Sequence, residues 1–240
     1  MILQQIRHEV KMSLRNGEQV LVSIIIPVLF LVFFSSVDVL PLPEGVSDSI
    51  DFLAPGILAL AVMSSAMVSL GIGTGFERQY LVLKRLGATP LGRPRWVSAK
   101  IAMICCLLAL QIVVLVIVAL LLGWSPQSNY FTALIAILLG ASAFAGLGLL
   151  MAGTLKGTVT LAAANGLYLV LLLIGGMIVP FDEMPGALAS IGEYTPAGAL
   201  STTLNAALRS GATTSASAWI ALAIWAIATP VLAARFFRWE

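Results

Sequence analysis

Long apolar runs at residues 20–37, 52–73, 97–122, 130–152, 158–179 and 216–234 alternate with short polar segments along the chain. Each run is about 18 to 26 residues long, enough for a helix rising about 1.5 Å per residue to cross roughly 30 Å of hydrocarbon. The pattern therefore predicts an all-α membrane protein with six transmembrane helices in one domain, residues 1–240. Pro27 in the first run allows a kink or a partial span there. The last run, rich in Ala and Trp, is the weakest by hydropathy.

The polar segments differ in kind. Over residues 1–17, Ile2, Leu3, Ile6, Val10 and Leu14 recur at helical spacing while Arg7, Lys11 and Arg15 form a basic stripe. That is the pattern of an interfacial helix lying among anionic headgroups, and His8 on its polar side reads as a surface residue. Residues 38–51 are acidic and contain Pro41 and Pro43, as a loop without regular structure would. Two stretches are longer than connection requires, 74–96 and 180–215, and function is expected in or beside them. In the second, Leu188 and Ile191 follow Pro185, and Leu200, Leu204 and Leu208 follow Pro196. Proline favours the first turn of a helix, so short helices dipping into the membrane interface and returning are expected.

Composition narrows the class. Of 240 residues 60% are hydrophobic and 10% charged, against roughly 25% charged in soluble domains. With a mean hydropathy of +1.03, so few charges cannot coat a globule of 25.3 kDa in water. Their distribution sets sidedness. If the N-terminus is inside, the inner segments hold Arg7, Lys11, Arg15, Arg78, Lys84, Arg85, Arg93, Arg95, Lys100, Lys156, Arg235 and Arg238, leaving only Arg209 of the 13 basic residues outside. Asp38, Glu44, Asp48, Asp51, Asp182, Glu183 and Glu193 fall outside. Basic residues favour the cytoplasmic side, so six spans with both termini cytoplasmic are expected, in the cell membrane. No small-residue cleavage pattern precedes Asp38, so the first run reads as a retained span. Cys105 and Cys106 are adjacent within an apolar run and read as small apolar residues.

Candidate chemistry inside the spans is scarce. The polar interior positions are Gln111, Asn165, Tyr168 and scattered Ser and Thr, with no HExxH and no carboxylate pair at membrane depth. This argues against an intramembrane protease and against a carrier driven by protons through carboxylates. No metal site is read, and no nucleic-acid partner. Residues 153–158 contain Gly153, Lys156 and Gly157, but the lysine precedes the glycine and a span stands where a phosphate loop needs a strand. A cytoplasmic turn with a snorkelling lysine accounts for them. The energy source for any transport is expected outside the chain.

The inner stretch 74–96 carries the most specific signal. On a helix Phe76, Tyr80 and Leu83 share one face, while Glu77 with Lys84 and Arg78 with Arg85 align seven apart on polar strips. Gly87 and Pro90 provide the stop. Such a helix either offers these groups to a cytoplasmic partner or is a basic anchor with none; composition alone leaves both open. The run Phe76-Glu77-Arg78, followed by Leu83-Lys84-Arg85-Leu86-Gly87-Ala88-Thr89-Pro90-Leu91, resembles the first cytoplasmic loop of the type-2 ATP-binding cassette permeases.

The resemblance implies the membrane subunit of an exporter without an ATPase of its own. Two permease subunits, identical or different, would pair with two cytoplasmic ATPase subunits that bind ATP and magnesium. Phe76, Glu77, Arg78, Tyr80, Lys84 and Arg85 would form a coupling helix on the ATPase. Residues 1–17 would be the elbow helix, and 180–215 the re-entrant helices of the exit side. Substrate-path candidates on the second and fifth spans are Met63, Ser65, Met67, Asn165 and Tyr168, an adaptable apolar wall with polar handles fit for an amphipathic, lipid-like or drug-like cargo. Each of these residues taken singly is equally well read as helix packing. The competing reading is a non-transporting scaffold or assembly factor that recruits a cytoplasmic partner through the same loop.

Overall fold

The computed structural model describes residues 17–37, 48–87, 92–126, 129–209 and 215–238. The expected interfacial helix, most of the 38–51 linker and residues 88–91 of the loop motif lie outside them. Among the described residues every regular element is helical: α1 (Gly17–Ser36), α2 (Ser49–Met63), a π-helical segment (Ser64–Ser69), α3 (Leu70–Gln79), α4 (Val82–Gly87), α5 (Gly92–Leu121), α6 (Tyr130–Thr154), α7 (Gly157–Ile174), a 3-10 turn (Phe181–Glu183), α8 (Gly186–Tyr194), α9 (Pro196–Leu208) and α10 (Ala216–Phe236). Among the described residues five helices are long and apolar enough to cross a bilayer: Ser49–Gln79, Trp96–Leu121, Tyr130–Thr154, Gly157–Ile174 and Ala216–Phe236. The first apolar run lies in α1, a helix of 20 residues that continues through Pro27. The expected run 158–179 is helical only to Ile174, because Gly175 caps α7 and Gly176 takes a left-handed conformation at φ 62° that turns the chain.

The helix Ser49–Gln79 is the axis of the bundle, with 83% of its most apolar window buried against 22% for α7. It packs on α6, which also runs along α10 for most of its length. The α6–α10 seam is pinned within the apolar layer by the Thr229 hydroxyl donating to Ala143 O at 2.7 Å and the Ser142 hydroxyl donating to Ala226 O at 2.9 Å. Between helices in lipid there is little hydrophobic drive, so close packing and such hydrogen bonds hold them together. A Cβ on Gly148 of α6 would lie 2.6 Å from Met67 O, so only glycine lets the two backbones meet at the π segment.

That segment interrupts the axis at mid-length with one wide turn. π-helical turns cost hydrogen-bond geometry and are retained where an arrangement needs them. Here Ser65 donates a buried 2.6 Å hydrogen bond to Gln111 Oε1 on α5, satisfying two polar side chains in the apolar interior.

The bundle has a basic and an acidic end. Arg78, Lys84, Arg85, Lys156 and Arg235 gather where the axis helix ends and α6 hands over to α7; Asp51, Asp182, Glu183 and Glu193 gather where it begins and α8 and α9 cap the bundle. The short helices expected after Pro185 and Pro196 are α8 and α9. Thr195 caps α9 by accepting from Gly198 N at 3.0 Å, with Pro196 in the first turn.

Candidate functional site

At about 1.5 Å per residue the axis helix of 31 residues is roughly 46 Å long, more than the hydrocarbon needs, so its last turns project beyond the apolar layer. Those turns carry Phe76, Glu77 and Arg78. The Arg78 guanidinium donates to Ala152 O at 2.7 Å and Leu155 O at 3.2 Å. These carbonyls belong to the closing turn and cap of α6, where helix ends leave acceptors unpaired and partial negative charge accumulates, so a cation is held strongly. Glu77 forms an ion pair with Lys100 near the start of α5. Lys100 is buried and sits 5.8 Å from the Trp96 ring centre, a cation–π contact that helps keep its charge in a dry site.

Trp96 in turn packs on Phe237 at 6.4 Å, just past α10, and Arg238 N donates to Gly153 O at 3.1 Å. Two neighbouring residues of the axis helix thus tie three elements together: Glu77 reaches α5, Arg78 reaches the α6–α7 turn, and the aromatic pair brings in α10.

The stretch after Arg78 differs from the single amphipathic helix the periodicity predicts. The helix breaks at Tyr80 and Leu81, and Leu81 takes a left-handed conformation at φ 60°, the one such non-glycine residue among those described. That conformation costs an L-residue about 1–2 kcal/mol and persists where surrounding contacts enforce it. Leu83, 1% exposed, anchors α4 in the interior and so requires the chain to bend across the bundle end. The seven-residue alignment of Glu77 with Lys84 and of Arg78 with Arg85 is lost at the bend. Phe76 and Tyr80 still stack, 6.1 Å between ring centres and 16° between planes. Tyr80 is 65% exposed, and Leu81, Val82, Lys84 and Arg85 are exposed with it.

The remaining sequence candidates are scattered. Met63, Ser65 and Met67 lie buried in the axis helix against α5 and α6. Asn165 is exposed on α7 and turns its amide back to Leu161 O at 2.9 Å, and Tyr168 is half-buried one turn further on. None of the five lines either of two described cavities, an apolar one of about 480 Å³ between α5, α6 and α10 and a polar one of about 360 Å³ at the acidic end. Lys100, Trp96 and Phe237 are the participants sequence reasoning passed over. The one available signal was a lysine inside the first turn of an apolar run, where charge is costly unless paired.

Bilayer-length apolar helices packed around a buried axis, with a charged linkage at one end, define a polytopic membrane protein. The model of the ABC-2 type transporter family matches residues 2–199, and the chain belongs to that family. It is also 30% identical over 190 residues, 78% of this chain and 77% of the relative, to a protein of Bacillus subtilis (strain 168) named "Putative transport permease YvfS". The chain is a transmembrane permease of the ABC transporter type.

Proposed function

We propose that this permease is the membrane subunit of an exporter whose ATP, with magnesium, is bound and hydrolysed by two copies of a separate cytoplasmic ATPase, and that a second permease, identical or different, completes the complex. The positive-inside rule places the basic end in the cytoplasm and, with α1 counted as a span, both termini there. The observation that carries the reading is the continuity of the axis helix from the buried core to the exposed turn at Tyr80. Glu77 and Arg78 clamp that helix end to its neighbours, while Phe76 orients Tyr80. Tyr80, Lys84 and Arg85 make the surface that meets the ATPase. A push there moves the axis helix as a unit, with the π segment as the place where it yields. The cargo is amphipathic, lipid-like or drug-like, moved along a path at the seam with the second permease where Asn165 and Tyr168 stand. Met63, Ser65 and Met67 set the packing of the axis that the path depends on.

Co-purification with the ATPase from the neighbouring gene, and loss of cargo-stimulated ATP hydrolysis in a Tyr80→Ala, Arg85→Ala variant, test this reading. Undiminished stimulation in a variant that still binds its ATPase would remove it.

A further inference from the structure

The polar cavity at the acidic end has no part in the coupling described above. It holds about 360 Å³, within the roughly 300–1,000 Å³ of small-molecule sites, and its wall includes Phe52, Asp182, Glu193, Tyr194, Asn205 and Arg209. The wall is built rigidly. A Cβ on Gly198 would collide with Gly192 O, so α8 and α9 meet backbone to backbone. Ser201 donates to Gly176 O at 2.8 Å, and Trp225 Nε1 donates to Tyr194 O at 2.8 Å, fixing the cap to α7 and α10.

Two polar atoms on this wall are buried without a partner. Asn205 is only 8% exposed; its amide nitrogen donates to Ser201 O at 3.0 Å, and its Oδ1 accepts nothing. The Arg209 Nε is likewise buried and donates to nothing. Such groups cost roughly 1–3 kcal/mol each when left unsatisfied and call for a ligand, ion or water. Burial pulls the Arg209 guanidinium below its ordinary value while the Asp182 carboxylate pushes it back up, so the cation stays charged beside an acid. The cavity thus offers an unused donor on a cation, an unused acceptor, and carboxylates at Asp182 and Glu193. The α9 C-terminus adds partial negative charge.

We infer that this cavity binds a zwitterionic headgroup, its anionic oxygen on Arg209 and its ammonium on Asn205 Oδ1 and the flanking carboxylates. A lipid is the source the surroundings favour. Leu188, Ile191 and Tyr194 of α8 are 47%, 62% and 59% exposed beside the cavity, an apolar and aromatic flank of the kind that sits at the membrane interface and would carry acyl chains. The outward placement of the cavity rests on the sidedness proposed above; the binding chemistry does not.

Native mass spectrometry of the full-length permease tests the site with three probes: dioleoyl phosphatidylethanolamine, dioleoyl phosphatidylglycerol and soluble phosphoethanolamine. The wild type is expected to retain phosphatidylethanolamine at least fivefold better than phosphatidylglycerol. Arg209→Gln should abolish that retention, Arg209→Lys should keep most of it, and Asp182→Asn with Glu193→Gln should erase the preference between the lipids. Ser217→Trp, which fills the cavity without altering a charge, should also exclude the lipid. Phosphoethanolamine binding that equals the lipid's and disappears in Arg209→Gln keeps the site and makes a soluble zwitterion its ligand. Equal retention of both lipids by the wild type, or wild-type retention by Arg209→Gln and Ser217→Trp, overturns the inference. ATP hydrolysis is not read in this assay, so failure here leaves the coupling reading standing, and the reverse holds too.

Discussion

At the basic end charged side chains, Glu77 to Lys100 and Arg78 to the closing carbonyls of α6, reinforce backbone contacts such as Arg238 N on Gly153 O, whereas at the acidic end no ion pair forms among the described residues and the tightest joints are backbone against backbone, α8 on α9 and α7 under both. Side-chain ties can lengthen, exchange partners and reform at modest cost. Glycine contacts admit no such adjustment, because the neighbouring carbonyl occupies the space a Cβ would need. On the proposed coupling, the contrast would leave the basic end adjustable and make the far end a stiff cap around a polar cavity.

The largest effect is expected where there is no slack. Gly198→Val should cost about 3 kcal/mol or more through overpacking and lower the thermal midpoint in detergent sharply. A mild loss would show that the cap is softer than its contacts imply. At the basic end, Glu77→Ala removes the carboxylate paired with the buried Lys100 and should cost about 2–3 kcal/mol, somewhat under the range for fully buried pairs because Glu77 keeps 28% exposure. Adding Lys100→Met should recover most of that stability, which a double-mutant cycle in thermal melts would measure. Coupling to the ATPase should stay impaired in the double variant, separating the pair's mechanical role from its stabilising one.

Gln111→Leu removes the acceptor of the Ser65 hydroxyl in the apolar layer and should cost about 1–2 kcal/mol, as an unsatisfied buried donor does. Ser65→Ala added to it should restore stability. The smallest effect on stability belongs to Tyr80→Ala with Arg85→Ala, both exposed, within about 0.5 kcal/mol. The same variant should reduce cargo-stimulated ATP hydrolysis severalfold, so an exposed surface that matters little for folding would matter most for work.

The apolar runs fell on helices because hydrocarbon demands them, although the axis helix runs on past residue 73 to Gln79 and α7 stops at Ile174, short of 179; Pro185 and Pro196 marked the short helices because proline suits a first turn. The run Phe76 to Arg78 with Leu83 to Leu91 pointed to the family that residues 2–199 match. Less legible was the bend at Leu81. A helical wheel treats Phe76, Tyr80 and Leu83 as one face, and nothing local reveals that Leu83 must turn inward while Tyr80 stays out. Lys100 is similar, since its partner Glu77 lies 23 residues earlier on another helix.

The amino-acid sequence alone determined the class of protein, the positions of its apolar helices and the segregation of basic from acidic segments, because hydrocarbon excludes charge and demands helix. The tertiary structure alone decided which helix is the axis, which polar groups satisfy one another, and which remain open at the acidic end. In a lipid environment the faces that meet protein and the faces that meet acyl chains are equally apolar, so the periodicity that separates inside from outside in a soluble protein is silent here. Ser65 finds Gln111, Arg78 finds the end of α6, and Asn205 is left facing a cavity only once the helices have packed.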